Sequence, residues 1–126
     1  MPIASLMRSK YHEYPEYHTS LDNMELVTPE GLYGGFEVVK KTIEVIENNN
    51  IYKATQLCEA QLGKKGLYPN IGTHDSYKIV QNRLNLLAYS DGETELIDIA
   101  NILSIPIWEL YSEVNLLSKF GLLERC

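Results

Sequence analysis

The chain has 126 residues, a hydrophobic content of 44% and a net charge of −6, which fits one ordinary domain or two small ones and argues against disorder. The acidity opposes general binding to nucleic acid or anionic membranes, because both polyanions attract clustered Lys and Arg, yet it suits carboxylate- and imidazole-based metal sites. Cys58 and Cys126 have no CxxC spacing, the N-terminus has no secretory apolar run and no stretch reaches transmembrane length, so a soluble cytoplasmic protein with free thiols is expected.

In chain order, residues 3–7 (Ile-Ala-Ser-Leu-Met) read as a short buried strand. Residues 8–22 have neither helical nor strand period and hold His12, His18, Glu13, Glu16 and Asp22; a polar loop of this length in a compact protein tends to be functional. Five of the nine tyrosines (Tyr11, Tyr14, Tyr17, Tyr33, Tyr52) fall in the first 52 residues. Thr28 as N-cap, Pro29 at the first helical position and Glu30 at the positive dipole end open a helix. Leu32, Phe36, Val39, Ile43 and Ile46 form its apolar face, and Asn48-Asn49-Asn50 ends it. Gly34-Gly35 lies in its first turns, where each glycine costs about 1 kcal/mol relative to alanine; the pair predicts that another backbone passes close by.

Residues 51–57 have strand-like composition, and 61–69 form a Gly- and Lys-punctuated ordered loop. A boundary is expected between residues 72 and 73, within the 70–74 segment where Gly72 and Thr73 supply turn and cap material. Tyr77, Val80, Leu84 and Leu87 mark one helical face, closed by Ser90-Asp91-Gly92. Thr94 is the expected cap of a shorter helix carrying Leu96, Ile99, Ala100 and Leu103. Ser104-Ile105-Pro106 breaks it, and a third helix carries Ile107, Leu110, Tyr111, Val114 and Leu117. Gly121 is placed for a left-handed C-cap. This is the pattern of a helix-turn-helix, winged-helix domains in particular, although too few residues follow Gly121 for a full two-stranded wing.

Residues 73–126 carry four cations (Lys78, Arg83, Lys119, Arg125) against eight anions. The third helix presents Trp108, Glu109, Ser112, Glu113 and Asn115 before its first cation, Lys119, whereas a groove-reading helix needs flanking phosphate contacts. No nucleic-acid partner is expected, and a winged-helix DNA-binding regulator stands as the alternative reading, beside a protein-interaction module. Intramolecular docking or a protein partner fits better, with Trp108 either anchoring that partner or capping the module's own core.

The chemically pointed stretch is Tyr14-Pro-Glu-Tyr-His-Thr-Ser-Leu-Asp22. Read alone, His18 is either a surface imidazole or one metal ligand, since a site needs three or four and an acceptor to orient the second ring nitrogen. With the preceding short strand and the following Thr-Pro-Glu-capped helix, His18-Thr-Ser-Leu-Asp22 resembles the end of a co-catalytic zinc aminopeptidase domain. Arg8, Pro29-Glu-Gly-Leu and Gln61-Leu-Gly-Lys-Lys-Gly-Leu-Tyr-Pro69 extend the likeness. Together they resemble bacterial aminopeptidase-like proteins, associated with polysaccharide biosynthesis, that carry a C-terminal winged-helix domain. Ala60 stands where that family would have proline.

The resemblance implies an α+β, mainly helical chain: residues 1–72 as the end segment of an α/β aminopeptidase-like domain, residues 73–126 as a winged-helix-like three-helix module. It implies that His18 holds a zinc ion, that Thr19 and Asp22 support the loop and imidazole, and that Tyr17 lines the pocket. Two zinc ions sharing a water would lower its pKa for attack on a peptide carbonyl. The family's other ligands and its general base lie upstream of the matched segment. The expectation is therefore no catalytic residue here, weak or no zinc in this chain alone, and a peptide-like substrate for the parent protein. The partner expected is the missing N-terminal catalytic portion, or a second copy, with no membrane. His12 and His74 match no ligand position, and Glu13 and Glu16 read as solvated.

Overall fold

The structure, a computed structural model, describes residues 3–68 and 74–126. It divides into two compact units, Met1–Ile46 and Glu47–Cys126.

In the first unit, residues 3–7 form no strand. The expected burial fails as well: Ile3 is 83% exposed and Leu6 58%, and a strand needs a sheet partner that the described residues of this unit do not offer. Residues 11–27 run through successive turns. Helix α1 (Pro29–Asn48) begins as its sequence dictates, the Thr28 hydroxyl oxygen accepting the Gly31 N–H at 3.1 Å. Gly31 also leaves room for the Arg8 guanidinium, since a Cβ there would lie 2.6 Å from Arg8 Nη1. Along its length α1 buries no residue. Leu32, Phe36, Val39, Ile43 and Ile46 are all exposed, and a Cβ at Gly34 or Gly35 would meet no described atom within 4 Å.

The second unit begins where α1 ends. Strand β1 (Ile51–Ala54) is followed by a 3-10 turn at Leu62–Lys65, helix α2 (His74–Tyr89), strand β2 (Asp91–Glu95), helix α3 (Leu96–Leu103), helix α4 (Trp108–Lys119) and strand β3 (Leu123–Arg125). The three strands form one antiparallel sheet in the order β2-β1-β3. Ile51 stands opposite Glu95 and Lys53 opposite Asp91 on one side. Tyr52 faces Arg125 and Ala54 faces Leu123 on the other. The short tail after Gly121 thus finds its sheet partner upstream, in β1. That pairing is why the units part between residues 46 and 47, while the expected boundary at 72–73 falls at the edge of residues 69–73, outside the described ones.

The core of this unit joins all three helices to the sheet. Leu62, Leu86, Leu96, Ile99, Leu110, Leu117 and Leu122 are fully buried, each worth roughly 1.5–3 kcal/mol of transfer from water. Gly66 in the left-handed region ends the 3-10 turn, and Gly121, at φ +64, makes the predicted left-handed exit from α4. Ser104 also adopts a left-handed conformation (φ +54) as its N–H bonds the α3 carbonyl of Asn101, and that C-cap with Pro106 makes the tight α3–α4 turn.

Two local expectations change. Residues 91–95 continue as β2, because β1 supplies the partner that turns a helix terminator into a strand. Thr94 does not cap α3: its N–H and hydroxyl both bond to Asp91. The N-cap residue is Glu95, which makes no capping side-chain bond. The cap comes instead from Asn49, whose side-chain oxygen accepts the Ile97 N–H at 3.0 Å and whose amide donates to the Glu95 carboxylate at 2.6 Å.

Candidate functional site

The histidine loop is organised around one ring. Tyr17 is half-buried and four aromatic side chains pack on it. His18 stacks on it with centroids 4.1 Å apart, His12 meets it edge-on at 4.9 Å, and Tyr11 and Tyr14 lie at 5.5 and 5.6 Å. Such pairs add about 0.5–1.5 kcal/mol each beyond their burial. Both histidines have left-handed backbone, φ +69 at His12 and +58 at His18. His is one of the residue types that tolerate this region, and such strain gathers at functional loops. His12, read from the sequence as an ordinary loop residue, is thus part of the pile.

Thr19 shapes the turn: its hydroxyl donates to the Glu16 carbonyl at 2.9 Å and accepts the Leu21 N–H at 3.2 Å. The Asp22 N–H closes the next turn onto the Thr19 carbonyl. Tyr14 has its phenol pKa raised, first by partial desolvation within the pile and then by the Asp22 carboxylate, with Tyr17, Tyr11 and Glu16 contributing. Tyr17, Thr19 and Asp22 therefore all act on the path of the loop that carries His18, and His18 itself is solvent-exposed.

No three His, Cys, Asp or Glu side chains converge on a possible metal position among the described residues. His18 can offer one imidazole, and the other ligands of a zinc site would have to come from elsewhere. Among the described residues, then, no donor set amounts to a metal centre.

The second unit carries a different surface. The exposed side of α4 shows Trp108, Ser112, Asn115 and Lys119, spaced by four, three and four residues, with Glu109 beside Trp108. The outer side of α3 shows Asp98, Asn101 and Ile102. Lys78 of α2 bridges Glu109 at 3.7 Å, both ends exposed. Phosphate would normally be held at a helix N-terminus by free N–H groups. Here the Leu96 and Ile97 N–H groups are taken by Asn50 and Asn49, and those of Glu109 and Leu110 by Pro106 and Ile107. Glu109 adds a carboxylate to the first turn of α4, so both helix starts disfavour an anion.

Behind this surface lies a feature the helical spacing did not single out. Arg83, 7% exposed, and Glu113, 9% exposed, pair across α2 and α4 through Nε–Oε2 at 2.6 Å and Nη2–Oε1 at 3.2 Å. The Arg83 Nη1 also donates to the Leu67 carbonyl. Glu113 therefore belongs to the interior, not to the exposed side of α4. The signal available in the sequence was position: Arg83 lies about one helical turn before the buried Leu86, and Glu113 lies between the buried Leu110 and Val114. A mainly apolar groove of about 550 Å³ opens elsewhere in the unit, lined among others by Leu84, Leu87, Ala88, Lys53, Glu59 and Asp91.

Both halves of the chain match known families. Residues 50–125 match a family model described as winged helix-turn-helix, and residues 1–49 match one described as a domain of unknown function. A Clostridium acetobutylicum protein, provisionally named for polysaccharide biosynthesis and bearing an aminopeptidase-like domain, is 39% identical over 102 residues. That alignment covers 79% of this chain and 23% of the relative. A crystal structure of a provisionally assigned peptidase from Clostridium acetobutylicum superposes with a TM-score of 0.76 at 28% identity. It covers 91% of this chain and 25% of that one. The chain spans about a quarter of the length of each of these relatives.

Proposed function

Since the chain belongs, through residues 50–125, to the winged helix-turn-helix family, and its first unit carries the His18 loop, we propose that it is the C-terminal part of a zinc-dependent aminopeptidase-like protein. The observation that carries this reading is the bare apolar face of α1. A 20-residue helix with Leu32 at 64%, Phe36 at 61% and Ile46 at 67% exposure needs a large neighbour, because a long surface helix is normally held by burial of its apolar stripe. The roughly fourfold greater length of the relatives supports an aminopeptidase-like body as that neighbour.

In this reading His18 supplies one zinc ligand to a site completed by that body. Bound zinc would contribute Lewis acidity toward a peptide-like substrate. This chain's own residues hold the loop: Tyr17 by stacking on His18, Thr19 by its turn bonds, Asp22 through the following turn and its field on Tyr14. The chain alone is not a complete enzyme. A cytoplasmic setting fits its two exposed, unpaired cysteines, and no helix among the described residues is long and apolar enough to cross a membrane. A role beside polysaccharide biosynthesis follows the relative.

The test is metal content. The purified chain should hold far less than one zinc per molecule, and the coding sequence around it should contain further His, Asp and Glu ligand segments upstream. Tight stoichiometric zinc in the isolated chain would overturn the incomplete-site reading.

A further inference from the structure

We propose that the apolar groove of the second unit, with Leu57 standing at its mouth, is a self-complementary surface on which a second copy of this chain docks about a two-fold axis. Every residue of this surface lies in the second unit, so the proposal stands apart from the aminopeptidase reading.

The groove opens over positions that helical spacing assigns to a core. Leu84 and Leu87 belong to the apolar face of α2, yet both are only half-buried, and Ala88 beside them is exposed. The buried Leu122 lines the same space of about 550 Å³. The bend that follows β1 contributes to it as well, and its start is tied down. The Thr55 N–H donates to the Leu122 carbonyl at 3.1 Å, and the Thr55 hydroxyl donates to the Gly121 carbonyl at 2.8 Å. Two residues on, Leu57 lines the groove but is itself fully exposed. A leucine left wholly in water beside an unfilled apolar hollow is a knob next to a hole. Under two-fold symmetry each copy's Leu57 fills the hollow of the other, since knob and hole lie on one patch.

Charge selects this occupant. Lys53 and Glu59 both line the groove and are exposed, and among the described residues neither has an ion-pair partner. The Lys53 stem lies over Gly92, where a Cβ would come within 3.3 Å of Lys53 Cδ. A partner of one sign is repelled by one of these two groups, and a small apolar ligand leaves Leu57 in water. A second copy answers both, because the two-fold that buries Leu57 pairs Lys53 of each copy with Glu59 of the other.

The bare face of α1 offers a separate route to self-association, so the test uses the full chain carrying Phe36→Glu. Sedimentation equilibrium over a concentration series should show this chain passing from monomer to dimer and no further. Adding Leu57→Asp should raise the dimer Kd about tenfold without changing the melting temperature. Lys53→Glu and Glu59→Lys should each weaken the dimer, and an equimolar mixture of the two should recover it, because opposite charges again face each other across the two-fold. Glu59→Lys lies outside the sheet and reads the pairing where Lys53→Glu loosens β1. A chain that stays monomeric overturns the proposal, and uptake of an apolar dye by that monomer assigns the groove to a small molecule instead. So do a dimer that survives Leu57→Asp, and a mixture that associates no better than either charge variant alone.

Discussion

The Asn49 side chain donates to the Glu95 carboxylate at 2.6 Å and, in the same pose, accepts the Ile97 N–H at 3.0 Å. A residue just beyond α1 thereby caps α3, forty-eight positions away in sequence, and the Asn50 carbonyl takes the neighbouring Leu96 N–H. Asn49→Ala should cost about 1 kcal/mol of stability, the usual value for a lost N-cap. Urea titration followed by circular dichroism measures it. Asn49→Asp should recover less than a normal cap exchange, because a second carboxylate would face Glu95.

The buried pair of Arg83 and Glu113 predicts a sharp asymmetry. Arg83→Met alone leaves the Glu113 carboxylate buried and unpaired, a loss of about 3–5 kcal/mol. Replacing both, as Arg83→Met with Glu113→Leu, should recover most of that loss, although the Leu67 carbonyl then lacks its donor. A double-mutant cycle by chemical denaturation reads the coupling. Additive effects of Arg83→Met and Glu113→Leu in that cycle would show that the pair contributes nothing.

Asp91 sets an acid limb. Its carboxylate accepts the Glu93 and Thr94 N–H groups, each at 2.8 Å, and the Thr94 hydroxyl at 2.9 Å, and these bonds hold its pKa below the ordinary aspartate value. A lowered folded-state pKa stabilises the fold fully above the unfolded value and is lost as pH falls through the folded value. Asp91→Asn should therefore lower the melting temperature at neutral pH, and the difference should close progressively in acid. A melting series across pH checks both the sign and the window.

The apolar face of α1 predicts self-association of the isolated chain, since a continuous exposed apolar patch seeks cover. Light scattering over a concentration series should show mass rising above the monomer. Phe36→Glu and Val39→Glu should each shift the chain toward monomer while leaving the melting of the second unit unchanged. A strictly monomeric wild-type chain at high concentration would count against the exposed-face reading.

Much of this architecture is legible in the chain because it rests on local chemistry. Thr28 and Pro29 announce α1, the Leu96/Ile99/Ala100 spacing announces α3, and Gly121 announces its own left-handed turn. What stays hidden is what depends on distant partners. Residues 91–95 look like a helix stop until β1 is known to lie beside them, and Asn49 looks like a terminator until α3 is placed against it. The strand expected at residues 3–7 fails for the same reason, since no described neighbour in its unit pairs with it. At the histidine loop, the motif picks out His18, while the stacking of His12, Tyr11 and Tyr14 on Tyr17 is invisible because turn residues carry no period.

The order of the sheet also has a consequence for how the molecule is made. Its central strand is the first of the three to be synthesised, and one of its partners comprises residues 123–125. Throughout synthesis of the helices, β1 must wait with that edge uncovered, and closure of so long a loop belongs to the late, slow part of folding. Loss of only the last few residues would leave the middle of the sheet open on that side. Residues 123–125 thus close the edge that β1 opens at Ile51.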